Sequence, residues 1–184
     1  QAEYIDHIST SSSVLLTLVN DILDLATVDA GIMRLNYADI DLNDLLDDVS
    51  MQIADRLHES GVALEITAPA YLGSIIADPQ RLKQILLKLL SNAANFSPEG
   101  TSISLECHRE GTDFVFSVGD RGPGISPDMI ATVFDRFATG AKSGKRGGAG
   151  LGLSIVDSFV SLHHGDVTID SEPGKGTTVV CRIP

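Results

Sequence analysis

The stretch Gly147-Gly148-Ala149-Gly150-Leu151-Gly152-Leu153-Ser154 puts four glycines into six positions and then runs into Ile155-Val156-Asp157-Ser158-Phe159-Val160, which reads as the opening of a helix. Glycine lets another group approach the backbone closely. The first turn of a helix adds unpaired N–H groups with partial positive charge. Together they suit an anion, phosphate above all, although a mobile connector has the same composition. Three further stretches could share a site with this one. Asp120-Arg121-Gly122-Pro123-Gly124 ends a strand-like run, Gly174-Lys175-Gly176-Thr177 joins two more, and Ser91-Asn92-Ala93-Ala94-Asn95 ends a helical pattern.

Those stretches need elements to hold them. Ile8, Leu15 and Ile22 recur at sevenfold spacing, with Leu18 and Leu25 three residues after the last two and Ile5, Val19 and Ala26 widening the stripe. The pattern predicts an amphipathic bundle helix over 3–29, stopped by Gly31, whose apolar face needs partner helices from outside the stretch. Further on, helices are predicted near 42–59, opened by the cap-like Asp41, near 79–95 and near 151–163. Strands are predicted near 32–37, 62–67, 73–77, 101–109, 113–119, 166–170 and 176–183. Ile85, Leu86, Leu89 and Leu90 lie at helical spacing and read as core. Mixed helices and strands without βαβ regularity imply an α+β sandwich, one sheet with three helices over one face.

Composition limits the partners. A net charge of −12 over 184 residues argues against nucleic acid and anionic membrane. No run of 18 apolar residues and no basic-then-apolar leader is present, so neither a membrane span nor direct membrane contact is expected of this stretch. Cys107 and Cys181 lie 74 residues apart with no metal-ligand spacing, which suits reduced core thiols and the cytoplasm.

Taken as a set, the motifs over residues 32–184 resemble the ATP-binding catalytic domain of sensor histidine kinases, in the superfamily that also holds gyrase B, Hsp90 and MutL. Asn92 and its neighbours are similar to the N box, Asp120 to Gly124 to the G1 box, Phe134-Asp135-Arg136-Phe137 to the F box and Gly148 to Gly152 to the G2 box. The helix at 3–29, ending in Asp21-Ile22-Leu23-Asp24-Leu25, resembles the second helix of the family's dimerisation and phosphotransfer hairpin. The resemblance implies a two-layer sandwich of the Bergerat-type ATP-binding fold over 31–184, preceded by a partial hairpin over 1–30.

It also implies roles for particular residues. Asp120 would accept the exocyclic amine of adenine, with Gly122, Gly124, Ile125 and Thr177 beside the base; a turn-capping aspartate is the plain alternative. Asn92 would offer its carbonyl oxygen to Mg²⁺, unless it only caps the helix end. Asn95 is placed with the nucleotide as well. Gly148, Gly150 and Gly152 would close the phosphate end, with Leu151 and Leu153 anchoring that turn to the core and Leu151 also placed with the nucleotide, and residues 135–149 would form a mobile lid carrying Lys142, Lys145 and Arg146, which on any loop could equally be solvated charges. Phe134 and Phe137 could stack on the base, though such a pair more often packs a lid hinge against the core. None of His7, His58, His108, His163 and His164 has the sequence context of the family's phosphoacceptor.

The chain departs from the family pattern at two places. The N box usually reads Asn-X-X-X-Asn-Ala-X-Lys, and here those positions are Lys88, Asn92, Ala93 and Asn95. A lysine at 88 could contact phosphate, but it could also repel Mg²⁺. After the F box, Ala138 and Thr139 stand where many members carry an aromatic and an arginine. Two readings follow. One is the ATPase part of a protein-histidine kinase, passing the γ-phosphate to a histidine outside this stretch and on to a response-regulator aspartate. The other is a degenerate, DivL-like member serving as a nucleotide-responsive signalling scaffold. Either implies a homodimeric parent protein and signalling proteins as partners. A clamp ATPase of the MutL or gyrase type fits less well, because it predicts no bundle helix directly upstream.

Overall fold

The 3.6-residue apolar pattern around Leu15 does form a helix. A computed structural model of the protein describes residues 2–138 and 149–184, with side chains in the first helix described for residue 12 and from residue 14 onward. The chain divides into two units, residues 1–34 and 35–184. In the first, α1 runs Ala2–Asp29 and ends at Gly31, whose positive φ lets its N–H reach Val28 O at 2.9 Å. The stripe residues Leu15, Val19 and Ile22 remain 62%, 45% and 45% exposed. Ile5 and Ile8 lie outside the described side chains.

The second unit begins with β1 (Ala38–Asp41), α2 (Leu42–Ser60), β2 (Ala63–Thr67), β3 (Ser74–Ala77) and α3 (Pro79–Phe96). It continues with β4 (Ser102–Glu110), β5 (Asp113–Gly119), the single turn α4 (Pro127–Ile130), α5 (Gly152–Leu162), β6 (Asp166–Glu172) and β7 (Gly176–Ile183). Asp41 caps α2 as expected, its Oδ1 accepting from Asn43 N and Asp44 N at 2.8 and 3.2 Å.

The strand expected near 32–37 is not there. A strand is defined by its partner, and β1 pairs with β3 from Ala38 opposite Ala77 to Asp41 opposite Ser74. Residues before 38 overrun the end of β3, and the N–H of Asn36 instead donates to Asp78 Oδ2 at 2.9 Å. The two strands form a separate antiparallel ribbon rather than joining the sheet, which corrects the expectation of a single sheet.

The remaining strands form one mixed sheet in the order β2-β4-β5-β7-β6, parallel between β2 and β4 and antiparallel elsewhere. Helices α2, α3 and α5 cover one face. Alternation along each strand sends Ile103, Leu105 and Cys107, then Phe116 and Val118, then Val179, Cys181 and Ile183 into this layer. Leu82, Ile85, Leu86, Leu89 and Leu90 of α3 meet them with at most 2% exposure. Each such side chain contributes about 1.5–3 kcal/mol of burial. The opposite sheet face carries Glu106, His108, Ser117, Thr168 and Asp170, and it also bears an ion pair between Arg182 and Glu110. Among the described residues no helix is long and apolar enough to cross a membrane.

Candidate nucleotide-binding site

Asp120 follows the last residue of β5, where the sheet ends and the chain must turn. Its N–H donates to Thr177 O at 2.8 Å, and its Oδ1 accepts from Gly122 N at 2.7 Å and Thr177 N at 3.2 Å. No described residue donates to Oδ2. A half-buried carboxylate oxygen held in one direction with no protein donor is a preorganised acceptor for a ligand N–H. Burial raises the Asp120 carboxyl above its ordinary range, against the pull of the two backbone hydrogen bonds.

The turn after Asp120 is wedged against the β6–β7 hairpin. Gly124 has φ +68°, and a Cβ there would stand 2.1 Å from Glu172 O, so only glycine fits. Gly174 N–H donates to Pro123 O at 2.7 Å, and Ile125 N–H to Ser171 Oγ at 2.8 Å. Ser171 Oγ also lies 2.9 Å from Thr177 Oγ1, so Ile125 and Thr177 share one hydroxyl contact. Ser171 had no signal in the sequence: the strand expected near 166–170 stops just short of it, while β6 runs through it.

At the other side of the site, α5 starts at Gly152, and among the described residues no side chain caps it. The donors of its first turn are therefore available to an anion. Leu151 is 2% exposed and anchors this start in the core, while Leu153 is half-buried. A Cβ at Gly152 would meet Asn92 Nδ2 at 3.1 Å and Oδ1 at 3.3 Å, so the α3 amide and the α5 N-terminus are adjacent. Phe96, at the end of α3, is 47% exposed, and its carbonyl would lie 2.9 Å from a Cβ at Gly122. Its position one residue beyond Asn95 was the available clue to this aromatic, which the sequence reading left out.

Gly150 crosses Phe137 so closely that a Cβ would stand 2.8 Å from the Phe137 carbonyl carbon, and Phe137 N–H donates to Gly150 O at 2.9 Å. Phe137 has φ +61° and is 63% exposed, so its backbone, not its ring, makes the contact. The expected packing of this ring against the core is corrected by that left-handed turn. Phe134 is half-buried. Asn95 Oδ1 accepts from Arg56 Nη2 at 2.8 Å, which ties it to α2. Lys142, Lys145, Arg146 and Gly148 lie outside the described residues. Asp120, Gly122, Gly124, Ile125 and Thr177 thus form one group, and Asn92, Leu151 and Gly152 another, with the end of α3 common to both.

This constellation matches a known domain: residues 77–184, more than half of the chain, match the family described as histidine kinase-, DNA gyrase B- and HSP90-like ATPases. The chain belongs to that family. It is 39% identical over 189 residues to the circadian input-output histidine kinase CikA of Synechococcus elongatus, a match over all of this chain and 25% of that protein. It is 35% identical over 177 residues to the sensor protein DivL of Caulobacter vibrioides, over 96% of this chain and 22% of that protein. The chain therefore spans about a quarter of the length of these curated relatives. Its fold superposes on that of full-length ShkA, solved in complex with AMPPNP, with a TM-score of 0.86 and 34% identity over 100% of this chain and 38% of that one. The fold is the ATP-binding fold of sensor histidine kinases.

Proposed function

We propose that residues 35–184 bind ATP with adenine on Asp120 and the phosphates at the start of α5, and that they supply the γ-phosphate to a histidine of the parent protein. The carrying observation is the Asp120 carboxylate, whose Oδ1 is committed to Gly122 and Thr177 and whose Oδ2 receives no donor from the described residues. An adenine amine is the complementary group. Gly122, Gly124 and Ile125 shape the turn beside the base, and Phe96 offers it an aromatic neighbour. Gly150, Leu151 and Gly152 deliver the uncapped helix end to the phosphates.

The residues fit a magnesium ion that arrives with the nucleotide. Asn92 supplies one oxygen next to Gly152, and among the described residues no group of three or more His, Cys, Asp or Glu could hold a metal alone. Bound there, Mg²⁺ would neutralise phosphate charge during transfer. The work of this chain is to bind, orient and enclose the nucleotide. The acceptor histidine, the onward transfer to a response-regulator aspartate, the homodimer formed through α1 as part of a phosphotransfer hairpin, and a cytoplasmic location belong to the parent protein in this reading.

The Asn95–Arg56 bond favours a second reading. It turns one N-box group toward α2, as suits a nucleotide-responsive scaffold with reduced transfer. Calorimetric titration with AMPPNP, with and without Mg²⁺ and with Asp120→Ala as control, tests the site. Binding that Mg²⁺ tightens and the control abolishes supports the kinase reading, binding indifferent to Mg²⁺ favours the scaffold, and absent binding rejects both.

A further inference from the structure

The two helices that build the phosphate end of the site are joined at their opposite ends by a buried imidazole. His163, one residue past α5, is 3% exposed. Its Nδ1 lies 2.7 Å from Phe159 O, and Asp78 N–H donates to its Nε2 at 3.1 Å. A ring nitrogen that accepts an N–H carries no proton, so the network assigns the neutral tautomer with Nδ1–H donating to Phe159 O. Asp78 is in turn the cap of α3. Its Oδ1 accepts from Gln80 N at 3.0 Å and Arg81 N at 3.1 Å. The Arg81 guanidinium stands 4.9 Å from the centre of the Phe159 ring. The first turn of α3 and the last turn of α5 are thus clamped by directional contacts.

Between the clamp and the site, α3 and α5 pack against each other, each burying apolar side chains such as Leu86, Ile155 and Val156. Apolar packing sets how far apart two helices lie but is non-directional. A hydrogen bond from one helix cap to a side chain at the other helix's end sets how far they slide. Asn92 stands about 21 Å along α3 from Asp78 at 1.5 Å per residue, and α5 runs about 16 Å from His163 back to Gly152. A rigid helix carries an axial shift at one end to the other.

We propose that His163 is a positioning residue of the nucleotide site: by accepting the Asp78 N–H it fixes the axial register of α5 against α3, and with it the placement of Gly152 against Asn92. This rests on the reading of that end as the ATP site. A displacement of about 1 Å at a reacting group can cost about 10²-fold in rate, and at a binding group it weakens the hydrogen bonds that depend on that placement.

The test compares His163→Gln, His163→Asn and His163→Phe in the full chain, measuring the AMPPNP dissociation constant and Tm together. Glutamine reaches the Asp78 N–H with Oε1, asparagine keeps only a donor for Phe159 O, and phenylalanine keeps only volume. Asparagine and phenylalanine should weaken AMPPNP about tenfold, the order of one weakened hydrogen bond, while glutamine stays within about threefold of wild type. If all three lower Tm and bind AMPPNP like wild type, His163 serves packing alone and the proposal is overturned. A folded wild-type chain that fails to bind AMPPNP instead removes the ATP-site reading, and the proposal with it. Hydrogen exchange on the unmutated chain gives an independent result. Coupling is reciprocal, so AMPPNP should slow exchange of the Asp78 amide. An unchanged rate with AMPPNP bound would overturn the proposal even if the variants fail to fold.

Discussion

Gly152 lies close against the side-chain amide of Asn92: a Cβ at 152 would stand 3.1 Å from Nδ2 and 3.3 Å from Oδ1, so the amide would have to give by a few tenths of an ångström. Alanine is otherwise welcome in a helix and favoured over glycine by up to about 1 kcal/mol in the interior. Gly152→Ala, at the first position of α5, should leave Tm close to wild type while shifting the Asn92 amide, and AMPPNP affinity in Mg²⁺ should fall about tenfold, the order of one lost hydrogen bond to a charged group. Thermal melts beside calorimetry check this; unchanged affinity would detach Asn92 from the site.

Asp120 yields a prediction with a definite sign in pH. Burial raises its carboxyl above the unfolded value. Between those two values the native state holds more protons than the unfolded one, so this group's contribution to stability falls as pH rises through the window. Asp120→Asn removes that cost while its carbonyl can still accept from Gly122 and Thr177. At pH 7 the variant should melt at or above wild type, with the difference shrinking on acidification. It should also lose AMPPNP, because an amide N–H₂ would oppose the adenine amine. In wild type, AMPPNP affinity should drop as pH falls through the raised Asp120 value. A variant that melts lower at pH 7 would contradict the argument.

Gly124→Ala meets two obstacles at once, φ +68° and a backbone oxygen 2.1 Å from the new Cβ. Glu172 O belongs to the β6–β7 hairpin, so relief requires moving the hairpin or the turn. We expect a loss of about 2–4 kcal/mol, or a Tm lower by about 5–10 °C. A melt within a degree of wild type would show that the turn can retreat.

The thiols should be inert in the native state. Burial pushes Cys107 and Cys181 up to about 12, so almost no thiolate is present at pH 8. Both pair with Phe116, one from each side, in a single row across β4, β5 and β7. That places them two strand spacings apart, about 10 Å, beyond the reach of a disulfide. A thiol reagent at pH 8 should label neither cysteine without denaturant and both in its presence, and rapid labelling of the folded chain would refute their burial.

What could be read from the sequence was what neighbouring residues settle among themselves. The helical spacing of Ile85, Leu86, Leu89 and Leu90 pointed to α3, the β-branched and aromatic runs at 101–109 and 113–119 located β4 and β5, and Asp41 announced the start of α2. The glycine motifs with Asn92 and Asp120 pointed to the family because their order along the chain is distinctive. Those signals depend on local backbone preference and on side-chain chemistry, both of which a linear stretch carries.

Only the tertiary structure decided which atoms those residues use. Thr177 holds Asp120 across 57 residues, His163 holds Asp78 across 85, and Arg56 holds Asn95 across 39. β1 begins at Ala38 because Ala77 is there to pair with it. Phe137 turns outward because its backbone must cross Gly150. Each is a contact between groups distant in sequence, whose geometry exists only once the sheet and helices have packed. No local pattern carries it, because the partner's position, rather than the residue's own preference, sets the energy.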